Sequence, residues 1–161
     1  MAIKIASLGD YPEYADQLAH WFKEHFGKYH PERDLYAWSI DLHFNKYKLP
    51  ITLIALEEIG NDVRLVGTTT LCVDKSYVND KDTVWLKRTY VPPAERGKNI
   101  AAELITACIT IAEKLQRTGE PIQEIMLLTR SANELYKKYG WVELDKPSYL
   151  AGPAALMTRK I

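Results

Sequence analysis

Cysteine is scarce in this chain: Cys72 and Cys108 are the only two in 161 residues, and neither belongs to a Cys-x-x-Cys pair. Such isolated thiols indicate neither a disulfide framework nor a zinc site, and two buried, reduced side chains are the expectation. An excess of one charge is lacking as well, since 21 Lys and Arg offset 21 Asp and Glu. Without a global basic field the chain cannot hold a polyanion by charge alone, so no nucleic-acid partner is expected. No stretch of about 18 uninterrupted apolar residues occurs, which argues against a membrane partner. The start, Met1-Ala2-Ile3-Lys4-Ile5, lacks the basic-then-apolar form of a secretory signal and reads as a cytoplasmic protein.

What is present suits a globular chain. Apolar residues make up 47%, charged residues 26% and aromatics 11% of the 161 residues, enough for a sizeable core in one domain spanning 1–161. The charges are unevenly spread. Residues 1–60 hold six basic and nine acidic side chains, a net of −3, and residues 61–161 hold fifteen and twelve, a net of +3. The two parts are expected to face different ligands.

Ile3 to Ser7 alternates as a short strand, and Gly9-Asp10-Tyr11-Pro12 follows as a turn in which Asp10 is placed to cap a helix running to Phe26. Leu18, Trp21, Phe22 and Phe26 recur at helical spacing, and Gly27 stands where a left-handed helix end carries little steric cost. Pro31 starts a second helix, less cleanly amphipathic, that Leu49-Pro50 ends. Ile51 to Leu56 and Arg64 to Val73, joined through Gly60-Asn61-Asp62, read as a hairpin with Gly67 marking a bulge. Val84 to Val91 is a further strand, stopped by Pro92-Pro93. Ile100, Leu104, Ile105, Cys108, Ile111, Ala112 and Leu115 keep the 3.6-residue period of a long helix. A strand from Ile125 to Thr129, a helix from Ser131 to Tyr139 closed by Gly140, and strands Trp141 to Leu144 and Ala155 to Thr158 complete the order βααβββαβαββ. This is an α/β pattern with a largely antiparallel first half.

The most informative segment is Thr89-Tyr90-Val91-Pro92-Pro93-Ala94-Glu95-Arg96-Gly97-Lys98-Asn99-Ile100-Ala101, a small loop between a strand and the long helix. A helix start leaves N–H groups unpaired and carries positive potential, so such a junction suits a pyrophosphate. Gly97 lets a ligand approach the backbone, Arg96 and Lys98 add charge, and Ala101 keeps the first turn slim. An Arg-Gly-Lys run before a helix also occurs as a solvated turn.

Here the chain resembles the GNAT superfamily of acetyl-CoA-dependent N-acetyltransferases. Its motif, Gln/Arg-x-x-Gly-x-Gly/Ala after a strand ending in Val-x-Pro, is matched by Arg96 to Ala101, with Asn99 in place of the central glycine. A second family element lies at Leu127 to Trp141, where Leu135-Tyr136-Lys137-Lys138-Tyr139-Gly140-Trp141 is similar to the closing Leu-Tyr-x-x-x-Gly-aromatic segment. The resemblance spans roughly residues 51–145 and implies a mixed, mostly antiparallel twisted sheet flanked by helices.

It also implies acetyl transfer from acetyl-CoA, with no metal, to the amine of a small molecule or peptide by direct attack in a ternary complex. Such a reaction needs an N–H to polarise the thioester carbonyl, a base for the amine's proton and an acid for the departing sulfur. The resemblance assigns coenzyme binding to Thr89, Tyr90, Val91, Arg96, Gly97, Lys98, Asn99, Ile100 and Ala101, and the acid to Tyr136; Tyr139, one turn on, is expected in the core. The base is open among Glu57, Glu58, Asp74, Asp82 and a water relay, because Val84 to Val91 holds no acid. That gap and Asn99 also fit a non-catalytic acyl-CoA-binding or sensing domain. Lys87 and Arg88 suit either an acidic acceptor or plain solvation.

The two N-terminal helices, where the family builds its acceptor site, carry Trp21, Phe22, Phe26, Tyr29, Tyr36, Trp38, Phe44 and Tyr47, most of them expected in the core. His20, His25 and His30 recur every five residues, a spacing that does not align them on one helix face for a metal. Exposed strand ends leave room for a homodimer without requiring one.

Overall fold

The computed structural model describes residues 2–147 and 152–161. Helices and strands follow as β1 (Ala2–Ser7), α1 (Ala15–Phe26), α2 (Leu35–Ser39), β2 (Ile51–Ile59), β3 (Asp62–Lys75), β4 (Asp82–Tyr90), α3 (Ile100–Arg117), β5 (Glu124–Thr129), α4 (Asn133–Lys138), β6 (Val142–Leu144) and β7 (Ala155–Lys160), with short 3-10 turns between some of them. The strands form a seven-stranded sheet in the order β1-β2-β3-β4-β5-β7-β6. β4 and β5 run parallel, with Val84 opposite Ile125, whereas the pairs β1/β2, β5/β7 and β6/β7 are antiparallel.

The chain divides into two compact units, one holding the residues up to Thr70 and Arg88–Leu104, the other Leu71–Lys87 and Ile105–Ile161. In the first, Leu18, Ala19 and Phe22 on α1 and Trp38 on α2 pack with Leu8, Ile54, Leu56 and Leu65. The start of α3 comes very close to β3 there. A Cβ on Gly67 would lie 2.8 Å from Ile100 Cγ2 and 3.2 Å from Leu104 Cδ1. Close helix packing thus requires glycine at this position. In the second unit Trp85, Met126 and Leu156 form a core, and the indole N–H groups of Trp85 and Trp141 donate to the carbonyls of Lys75 and Ile125.

Several local expectations are corrected. Asp10 does not cap α1; its carboxylate takes the Lys46 ammonium at 2.7 Å. Gly27 has φ −61° and simply continues the helix into a 3-10 turn. The second helix is five residues long instead of running from Pro31 to Leu49, because Asp34 Oδ1 accepts from the Ala37 N–H and fixes a later start. Of the eight aromatics in this region only Phe22 and Trp38 are fully buried, while Tyr29, Tyr36, Phe44 and Tyr47 are exposed. Cys108 is buried and its thiol is pushed up by desolvation, but Cys72 is only half-buried. On α3, Ile109 joins the buried face, whereas Ile111 is half-buried.

Candidate active site

β4 leads through a 3-10 turn, Pro93–Glu95, into the segment 96–99 and then α3. Two residues of this segment have left-handed backbones, Gly97 at φ +84° and Asn99 at φ +61°. Glycine takes this conformation without cost and asparagine is among the side chains that tolerate it best. Asn99 thus takes a backbone conformation that ordinarily favours glycine. A Cβ on Gly97 would meet nothing within 4 Å, so the surface over the loop is open. The Glu103 N–H donates to the Asn99 carbonyl at 3.0 Å, which opens α3. The N–H groups of Ile100, Ala101 and Ala102 ahead of it are those that a helix start leaves without an intrahelical partner. Arg96 is exposed, with Nε donating to the Val91 carbonyl at 3.2 Å.

Lys98 is oriented by an ion cluster beneath the loop. Its ammonium lies 2.8 Å from Glu95 Oε2 and 3.4 Å from Glu57 Oε2. Arg64 bridges the same two acids, with Nη2 at 3.0 Å from Glu57 Oε1 and Nη1 at 2.7 Å from Glu95 Oε1. Both carboxylates are buried, and two cations match two anions. The Arg64 hydrogen bond, with Lys98 adding to it, holds the Glu57 carboxyl below the usual carboxylate range. The Lys98 charge is thus engaged with protein acids. Sequence reading did not foresee the cluster, whose members come from β2, β3 and the loop.

At the end of β4 the Thr89 hydroxyl pairs with that of Thr69 at 2.7 Å. The Tyr90 ring is packed by α1, 5.5 Å from Trp21 and 4.5 Å from His25. Burial, then Lys28 and Arg96, lowers the His25 pKa and favours a neutral imidazole. Val91 and Ala101 are half-buried and Ile100 is buried.

Tyr136 belongs to the second unit. It sits on α4, its ring meeting Trp141 edge-on at 5.6 Å, and it is 5% exposed. Tyr139, expected in the core, is only half-buried. Among the carboxylates left open as bases, Asp74 accepts from the Lys87 ammonium at 2.6 Å, a contact that lowers its pKa, and Asp82 pairs with Lys75 at 2.8 Å. Glu58 is exposed. Among the described residues no group of three or more His, Cys, Asp or Glu is placed to hold a metal ion, and no helix is long and apolar enough to cross a membrane.

A mixed sheet in which a strand, a loop with two left-handed residues and a long helix follow one another frames this candidate site. The family model of the Acetyltransferase (GNAT) family matches residues 15–141, and the chain belongs to that family. Solved structures of similar fold include Arabidopsis thaliana NAA60 in complex with a bisubstrate analogue, 16% identical, with a TM-score of 0.70 over 99% of this chain and 98% of that one. The PaiA N-acetyltransferase of Thermoplasma acidophilum in complex with coenzyme A is 20% identical, with a TM-score of 0.63 over 100% of both chains. The NatC complex bound to Gag peptide and coenzyme A gives 21% identity and a TM-score of 0.63 over 100% of this chain and 99% of that one. No curated protein matches the chain by sequence.

Proposed function

We propose that the protein is an acetyl-CoA-dependent N-acetyltransferase that acts on a primary amine of a small molecule or peptide by direct attack in a ternary complex. The loop carries this reading: Gly97 and Asn99, both left-handed, flank Lys98 immediately before α3. Successive N–H groups in such a turn, backed by a helix start, suit a pyrophosphate. Solved relatives of the same fold hold coenzyme A, which supports the assignment.

Acetyl-CoA supplies the activated acetyl thioester. The N–H groups of Gly97 to Ala101 hold the pyrophosphate, with the exposed Arg96 adding positive charge beside them. Backbone N–H groups of Thr89 to Val91 align the pantetheine and polarise the carbonyl, where preorganised donors favour developing negative charge. The Tyr136 hydroxyl holds the proton that the departing sulfur takes; a phenol, with its ordinary pKa near 10, keeps that proton at neutral pH. Glu57 and Asp74, both below the usual carboxylate range, are weak proton acceptors, which favours a water relay for the amine's proton.

Thermal melting tests the binding half of this reading. Coenzyme A is expected to stabilise the protein more than pyrophosphate does at matched concentration. Equal stabilisation by the two would reduce the loop to a general anion site.

A further inference from the structure

Arg88 is the only described non-glycine strand residue with positive φ, at +56° within β4. A left-handed residue interrupts the alternation of a strand and re-aims its side chain, and such outliers gather at functional sites. The Arg88 guanidinium stands 5.0 Å over the Trp38 ring, and that of Arg33 stands over the same ring at 4.1 Å. Both cations converge on one oxygen. Asp41 Oδ2 accepts from Arg33 Nη2 at 3.0 Å and from Arg88 Nε and Nη2 at 3.2 and 3.1 Å.

The result is a half-buried group of two cations and one anion, with a net charge of +1. The second guanidinium leaves the group one positive charge in excess, a repulsion that another anion relieves. Among the described residues Arg33 Nε and Nη1 and Arg88 Nη1 make no hydrogen bond, and the buried Trp38 indole N–H finds no acceptor. Planar guanidinium donors on an aromatic floor suit a carboxylate. Arg88 also immediately precedes Thr89 to Val91, where the pantetheine is proposed to lie.

We propose that Arg33 and Arg88, gathered by Asp41 over Trp38, recognise a carboxylate on the acceptor, so that the preferred amines are acidic ones such as amino acids or acidic peptide ends. This rests on the acetyltransferase reading for its role, although the binding itself can be measured without turnover.

The experiment compares acceptors that differ by one carboxylate for one carboxamide: glutamate with glutamine, and aspartate-first with asparagine-first tetrapeptides. The acidic member of each pair is expected to have about tenfold higher kcat/KM, through KM, a ratio that Arg88→Gln brings close to one. Asp41→Asn, which removes the internal competitor, is expected to raise the ratio, whereas a merely structural cluster would lower activity alike in every variant. If Arg88→Gln does not fold, Arg33→Gln takes its place. Equal use of both members, or a preference that survives these variants, overturns the inference and leaves the acetyltransferase reading standing. So does a loss confined to coenzyme A relative to 3′-dephospho-coenzyme A, which would make the coenzyme's own phosphate the occupant. If no amine is acetylated, that reading fails instead. Calorimetry with N-acetylglutamate and N-acetylglutamine in the presence of coenzyme A then decides: tighter binding of the first, lost in Arg88→Gln, upholds the site, and equal binding overturns it.

Discussion

At the scale of single residues, Asn99 takes a left-handed backbone in the loop before α3. A left-handed residue with a Cβ costs roughly 1–2 kcal/mol, least for asparagine, whose short side chain tolerates the region. Asn99→Ala is therefore expected to lose about 1 kcal/mol and about 2–4 °C of melting temperature, while Asn99→Gly holds within about 0.5 kcal/mol. Denaturant unfolding of the two variants checks this order. Tyr136 makes a different prediction. Tyr136→Phe keeps the ring against Trp141 and removes the hydroxyl, so coenzyme A affinity by calorimetry is expected to persist while kcat falls about 100-fold, the scale of a lost general acid. Unchanged turnover would remove Tyr136 from the reaction. Both residues stand at positions that a motif of fixed spacing marks in the sequence. Arg33 and Asp41 carry no such mark, since they meet Arg88 only after the chain has folded.

At the scale of elements, the ion cluster of Glu57, Arg64, Glu95 and Lys98 ties β2 and β3 to the loop before α3. Folding lowers the Glu57 pKa from its ordinary value of 4.5, chiefly through Arg64, and so favours the ionised form. The stability this contributes is complete above that ordinary value and is lost as pH falls through the lower folded one. Glu57→Gln is expected to lower stability at neutral pH, to flatten its decline below about pH 4.5, and to raise the KM for acetyl-CoA by loosening Lys98. Denaturant unfolding across a pH series reads the first two effects. The unbroken period of α3 and the Val91-Pro92-Pro93 stop made the strand, loop and long helix readable, since both signals are local. The region between α1 and β2 was not readable in this way. Its helix begins where the Asp34 side chain caps it, and beyond it Asp41 is engaged by Arg33 and by the distant Arg88. The helix start is thus held by a local cap, and the residues after it by a partner 47 positions away.

At the scale of the whole molecule, the unequal charge of the two sequence parts takes on a different meaning. Glu57 and Asp41, from the acidic part, pair with Arg64, Lys98 and Arg88 from the basic part. Part of the imbalance that suggested two ligand fields is therefore used in internal pairing, and Arg96 is the exposed cation left at the loop. Membership of the GNAT family, the loop before α3 and coenzyme-bound relatives of the same fold all favour acetyl transfer. The most direct measurement is release of free thiol from acetyl-CoA across a panel of amines, with the acetylated product identified by mass. Thiol release is expected to depend on the amine and to equal the acetylated product formed. Tight binding of acetyl-CoA with no amine raising thiol release above hydrolysis would contradict acetyl transfer and leave a non-catalytic acyl-CoA-binding domain.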